Sequence, residues 1–330
     1  MRRRRFIAFI GITGVVLPLA VRAQPTDPIP KIGWLKIQGR SHTPSQLQAF
    51  REGMKALGLT EGRDFVLEQR YADGDEKRLP GLAADLINSG VALIVATSQP
   101  SIAAAWRVTK SIPVIGRMVD DPVADGMAQS LARPGGNVTG VYTMTEEMNP
   151  KRLELLKEAV PSVRRVGVLM RQDFPSASIA RRDWKTAEAA AHRLAVELVA
   201  LNVTTTAEIT SAFEATSKRN IDGITTFRNP TVVTYLDLIA ALSRKHRLPA
   251  IFDAREYVEA GGLMSYGPNI DKTYQQLAGF VLKLLHEIPP GELPIEEPRT
   301  FELVINKRTA DDIGASLPLS LLSQADKVIE

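Results

Sequence analysis

The sequence predicts an α/β fold of two Rossmann-like lobes with parallel sheets, joined by a multi-strand hinge. Three observations carry the prediction. Short apolar runs alternate with amphipathic segments of helical period, the alternation restarts at Arg165, and two Gly-rich turns, at 135–140 and 261–267, mark where the chain crosses between lobes. Such alternation builds right-handed strand–helix–strand units, and 330 residues with 44% hydrophobic content suffice for two cores.

After a Pro-rich linker (Pro25, Pro28, Pro30), Lys31 to Ile37 reads as a strand. Leu47, Phe50, Met54 and Leu57 then recur at three- and four-residue spacing as one helix face. Phe65 to Gln69, Ala92 to Ala96 and Ile112 to Ile115 read as further strands, with helices near 76–88 and 100–109. Ala92-Leu93-Ile94-Val95-Ala96 is apolar on both alternating faces, as a buried central parallel strand should be. In the second half the strands are Val166 to Met170, Leu198 to Val203, Gly223 to Phe227 and Ala250 to Phe252, separated by helices near 177–195, 207–219 and 231–246. The 261–267 segment then leads into a long helix, Asp271 to Glu287, that returns to the first lobe. The expected division is a signal peptide at 1–23, a linker at 24–30, a first lobe of 31–143 plus about 268–300, and a second lobe of 144–267 plus about 301–330.

The N-terminus explains a misleading charge. Arg2 to Arg5 cap an apolar stretch, Phe6 to Ala20, and Val21-Arg22-Ala23 ends at the spacing a signal peptidase reads, so cleavage is expected before Gln24. Five of the 41 Lys and Arg residues, and none of the 37 Asp and Glu, precede that point, so the mature chain holds 36 basic residues against 37 acidic ones. The pI of about 9.2 is therefore mostly a targeting label, and no nucleic-acid partner is expected. Arg3-Arg4-Arg5-Phe6-Ile7 has the form of a twin-arginine export signal, with a general secretory signal as the alternative. No later segment reaches ~18 uninterrupted apolar residues, and there is no cysteine to carry a lipid or a disulfide. A soluble, monomeric periplasmic protein is the expectation.

Enzyme motifs are missing. There is no His-Glu-x-x-His, Gly-x-x-x-x-Gly-Lys or Gly-x-Ser-x-Gly, and the turn at Gly135 lacks dinucleotide-loop spacing. His42, His192, His246 and His286 are scattered, which speaks against a transition-metal site, and no cofactor is expected. Asp311-Asp312, Lys151-Arg152 and Arg181-Arg182 read as solvated helix positions.

The loops at strand ends are more informative. Thr97-Ser98-Gln99-Pro100 follows the central strand and opens a helix whose free N–H groups suit an anion, or Ser98 and Gln99 serve as plain caps. Asp121, after Asp120, offers a carboxylate to a ligand ammonium or merely caps a following helix. In the second half Arg171 and Phe174, then Phe227, Arg228 and Asn229, then Asp253 and Arg255 follow successive strands and are expected at the cleft rim. Tyr266, on the second crossing segment, completes the candidate set, in which Phe174 and Phe227 would stack on an aromatic ligand.

Ser130-Leu131-Ala132-Arg133-Pro134-Gly135-Gly136-Asn137-Val138-Thr139-Gly140-Val141 resembles a motif of the ABC transporter substrate-binding proteins that include tryptophan- and phenylalanine-binding members. Asp121-Pro122-Val123 and the segments at 151–161 (KRLELLKEAVP), 261–267 (GGLMSYG), 301–306 (FELVIN) and 325–330 (ADKVIE) are similar too. The resemblance implies a type I periplasmic binding fold, delivery of a small molecule to a membrane permease with its ATPase, and no catalysis. It implies Thr97, Ser98 and Asp121 as ligand contacts, whereas Arg171 to Ser176 and Thr226 to Thr231 match no family pattern. An amino acid or aromatic acid is the expected ligand; an exported α/β enzyme or a soluble sensor for a membrane receptor is the alternative.

Overall fold

A computed structural model describes residues 28–39, 44–143, 148–172 and 177–330. The signal peptide, the cleavage site, His42 and Phe174 lie outside the described residues. The first sheet contains β1 (Lys31–Lys36), β2 (Val66–Tyr71), β3 (Leu93–Ala96), β4 (Val114–Met118) and β5 (Val138–Tyr142), in the order β2-β1-β3-β4-β5 and all parallel. Helices α1 (Pro44–Ala56), α2 (Leu79–Asn88) and α3 (Gln99–Val108) connect its strands.

The second sheet starts after α4 (Asn149–Ala159) with β6 (Arg165–Met170), β7 (Glu197–Asn202), β8 (Gly223–Thr226), β9 (Ala250–Phe252) and β10 (Met264–Pro268). Between these strands lie α5 (Ala177–Arg193), α6 (Thr206–Glu214), α7 (Pro230–Thr234), α8 (Leu236–Lys245) and α9 (Arg255–Glu259). Its order, β7-β6-β8-β9-β10, repeats that of the first sheet, and β11 (Phe301–Asn306), antiparallel to β10, and β12 (Lys327–Ile329) extend it. Helices α11 (Lys307–Ile313) and α12 (Leu319–Gln324) lie between those two strands.

Each sheet is covered on both faces. In the first lobe one face packs Ile94, Ile102 and Met118, and the other packs Trp34 and Phe50 against Tyr274 and Phe280 of α10 (Ile270–Leu285). So α10, which follows β10 of the second sheet directly, belongs by packing to the first lobe. The chain passes between lobes after β5, between β10 and α10, and before β11; the last two passages are joined by Asn269 N–H donating to the Thr300 carbonyl at 2.9 Å.

The Gly-rich turns carry a packing requirement. Gly140 adopts φ +137°, and a Cβ there would stand 2.2 Å from the Gly116 carbonyl oxygen; a Cβ on Gly267 would stand 2.2 Å from the Asp253 carbonyl oxygen. In both lobes the fifth strand thus presses a glycine onto the backbone of the fourth, at its middle in the first lobe and just past its end in the second. Two expectations are corrected. The helix expected over 231–246 is two helices, because Tyr235, at φ −109° and ψ 29°, breaks the ladder. Arg152 is not solvated: it is 1% exposed, with Nε–H donating to the Tyr266 carbonyl at 2.8 Å and Nη1–H to Asn149 Oδ1 at 2.7 Å. Among the described residues no helix is long and apolar enough to cross a membrane.

Candidate functional site

The carboxyl ends of the two sheets face each other. From the first lobe, the ends of β3 and β4 contribute Thr97 to Gln99, Arg117, Asp120 and Asp121. From the second, the ends of β8 and β9 contribute Phe227 to Asn229, Asp253 and Glu256. The lobes interact electrostatically here: Arg228 acts on both Arg117 and Asp120, and Glu256 acts on Arg117 and Tyr274. Beside this space Arg255 of α9 bonds Asp271 of α10 at 2.7 Å.

In the first lobe, Ser98 has extended backbone and caps α3, its Oγ accepting from Ser101 N–H at 3.4 Å and sharing a 2.8 Å bond with Ser101 Oγ. The Ser98 hydroxyl proton stays available when Ser101 donates. Thr97 is turned inward, its Oγ1–H donating to the Leu35 carbonyl at 3.4 Å and its carbonyl accepting from the Tyr274 hydroxyl at 3.0 Å. Gln99 bridges α3 to the loop after β4, donating to Asp125 Oδ2 at 2.9 Å and accepting from Val119 N–H at 3.4 Å. Asp121 Oδ1 accepts from the N–H groups of Val123 at 2.9 Å and Ala124 at 3.2 Å, so it fixes a turn over 122–126 where the sequence suggested a helix.

In the second lobe, Arg228 and Asp253 form a short ion pair, with the Asp253 side chain wholly buried. Burial opposes both charges, but the attraction between them outweighs it: Arg228 is raised above, and Asp253, helped by Arg152, lowered below, its ordinary range. Asn229 spends its side chain on α7, Oδ1 accepting from Thr231 N–H at 3.0 Å and Val232 N–H at 3.2 Å while Nδ2 donates to the Phe227 carbonyl at 2.9 Å. The Phe227 ring packs edge-on with Trp184, centroids 6.2 Å apart, within the second core. Tyr266 is half-buried and stacks on Phe301 at 6.3 Å. Arg171 lies half-buried just past β6.

The sequence reading missed Arg117, Tyr274 and Glu256. Arg117 stands near the end of β4 with its Nε–H unpartnered; burial and then Arg228 lower its pKa, while the Tyr274 hydroxyl supports its charge. Its signal was legible, as a lone charge in the apolar run Pro113 to Val119. Asp120 is held up at about 6 by burial and by Asp125. At the end of β1, Lys36 is buried and donates to Gln46 Oε1 at 3.4 Å, its pKa lowered to about 8 by that burial. Among the described residues no group of His, Cys, Asp and Glu is arranged to hold a metal ion. Arg117, Asp120 and the Ser98 hydroxyl can bind charge through guanidinium, carboxylate and hydroxyl groups.

Comparisons with known proteins agree with the two-lobed fold. A family model described as "ABC transporter substrate binding protein" matches residues 39–329. A tyrosine-binding protein of Clostridioides difficile is 26% identical over 272 residues, covering 81% of this chain and 76% of that protein. The crystal structure of a conserved domain protein from Vibrio cholerae superposes with a TM-score of 0.77 at 25% identity, covering 91% of this chain and 100% of that one. An ABC domain from Streptococcus pneumoniae in complex with L-Trp superposes at 0.78 with 23% identity, covering 92% and 100%, which supports the two-lobed fold.

Proposed function

The chain belongs to the family of ABC transporter substrate-binding proteins, and from that premise we propose that it captures a small carboxylate-bearing solute, an amino acid or an aromatic acid, in the cleft between its lobes. It acts as a monomer outside the cytoplasm, delivers the solute to the permease and ATPase of an importer, and does no chemistry on it. The observation that carries the carboxylate is the electrostatic meeting of two guanidinium groups from opposite lobes, Arg117 and Arg228, with Arg117 linked through the Tyr274 hydroxyl to the Thr97 carbonyl just before α3. That a relative is a tyrosine-binding protein supports the amino-acid class.

Capture predicts closure. A ligand at ~100 times its dissociation constant stabilises the folded state by about 2.7 kcal/mol, so a thermal-shift screen of amino acids and aromatic acids gives a hit, and small-angle scattering shows a smaller radius of gyration. A ligand consumed on incubation sinks the reading in favour of an enzyme. Export through residues 1–23 is tested by intact mass of periplasmic material, expected to start at Gln24, and by Arg3→Lys with Arg4→Lys, which blocks export only on the twin-arginine route.

A further inference from the structure

Arg117 and Asp120, both of the first lobe, stand in the cleft without an opposite charge bonded to them. Arg117 is 8% exposed, its Nε–H has no acceptor, its polar neighbour is the Tyr274 hydroxyl, and Glu256 attracts it without forming an ion pair. Asp120, three residues on, is half-buried and takes part in no hydrogen bond or ion pair among the described residues; its charged neighbours are Asp125, a like charge, and Arg228, already bonded to Asp253. Of the other carboxylates at the strand ends, Asp121 is engaged by backbone N–H groups and Asp253 by Arg228 and the charge of Arg152, while Glu256 of the second lobe keeps a buried, unbonded Oε2 and acts on Arg117 only through its charge.

A buried charge that has no partner in the protein is costly unless a ligand supplies one. Here one positive and one negative group are left open together on β4 and the loop that follows it. We propose, on the premise that the cleft captures a small carboxylate-bearing solute, that Arg117 receives the ligand's carboxylate and Asp120 its ammonium group, so that the protein selects zwitterionic amino acids over the corresponding simple acids. The second lobe bonds neither group directly: Arg228, already paired with Asp253, and Glu256 act on this site through their charges as the lobes close. The competing role for Asp120 is a latch that pairs with Arg228 when the lobes close.

Matched pairs separate the two roles. The standard amino acids and their deamino acids, such as tyrosine beside 3-(4-hydroxyphenyl)propionate, are titrated calorimetrically into the parent protein and into Asp120→Asn, Asp120→Ala and Arg117→Met, each checked for folding by circular dichroism. The parent is expected to bind its best amino acid at least about tenfold more tightly than the deamino acid. Both Asp120 variants close that gap by weakening the amino acid alone, and Arg117→Met weakens both members. A parent that binds the deamino acid as tightly overturns the assignment, and so do Asp120 variants that weaken both members equally, the signature of a latch. If neither set binds or raises the melting temperature, the capture of such solutes is itself refuted, and this assignment with it.

Discussion

The two lobes share one scaffold and differ in how they treat charge. Their five-stranded cores have the same strand order, their central strands β3 and β8 each run into a capped helix with a proline in its first turn, and their fifth strands press a glycine onto the backbone of the fourth or of the residue just after it. In the second lobe the arginine after the central strand is bonded to the aspartate after the next strand. In the first, Arg117 lies within β4 and Asp120 in the loop that follows it, and neither is in an ion pair. The same architecture thus holds one charge pair that is part of the fold and two charges left available to something else.

The sharpest way to break that contrast is to remove one member from each side. Asp253→Ala strips a buried partner from Arg228, and breaking such a pair costs about 3–5 kcal/mol. Arg117→Met removes a buried charge that has no carboxylate bonded to it and fills its space, so it is expected to leave the ligand-free protein as stable or raise its melting temperature. Denaturant unfolding of both variants decides; equal losses would mean that Arg117 is as structural as Asp253.

The glycines sharpen the shared half of the comparison. Gly140→Ala combines a left-handed φ with a 2.2 Å overlap on backbone, whereas Gly267→Ala has the overlap alone. Overpacking costs about 1–3 kcal/mol, and backbone strain adds a similar amount. Gly140→Ala is therefore expected to be the more destabilised in urea titration, and Gly267→Ala to displace Asp253 and weaken ligand binding as well.

Most of the scaffold was legible because burial writes itself into period. Ala92 to Ala96 reads as a central strand since both its faces are covered, and the restart at Arg165 marks a second sheet. The candidate loops were legible as loops at strand ends. What their side chains do was not, because a cap and a ligand contact use the same residue types: Asn229 turns out to be engaged by α7 and the Phe227 carbonyl, and Asp121 by its own turn. Arg152 defeated the reading differently, since a helix with charges at 151, 152 and 154 looks solvated until β10 offers a buried carbonyl. The lobe-to-lobe partners of Arg117 are hidden because they lie far away in the chain.

Proton linkage tests the open side of the comparison at smaller amplitude. Asp120 titrates at about 6 when folded, against an ordinary value near 3.8. The folded state therefore holds the proton more tightly, so this group's contribution to stability falls as pH rises from 4 to 6 and is at its least favourable above 6. Asp120→Asn is expected to raise stability at pH 8 by on the order of 2 kcal/mol and to change nothing at pH 4. Thermal melts across that range check it. A variant that parallels the parent at every pH would show that Asp120 is already compensated, contrary to the asymmetry between the lobes.

The smallest expected effect compares the two helix caps. Asn229 gives α7 two accepted bonds and adds a third through Nδ2, whereas Ser98 gives α3 one long bond, at 3.4 Å, and shares its hydroxyl with Ser101. Replacing a cap by alanine costs about 0.5–2 kcal/mol, so Asn229→Ala belongs at the upper end and Ser98→Ala at the lower. If the Ser98 hydroxyl also donates to a ligand carboxylate, Ser98→Ala loses roughly tenfold to a hundredfold in affinity, far more than its small loss of stability accounts for. Asn229→Ala does the reverse, melting lower while binding suffers only through the misplaced loop. Calorimetric titration and thermal melting of both variants place each cap on these two axes. A Ser98→Ala protein that melts lower yet binds as tightly as the parent would make the two caps equivalent, and would leave Arg117 as the first lobe's anion contact.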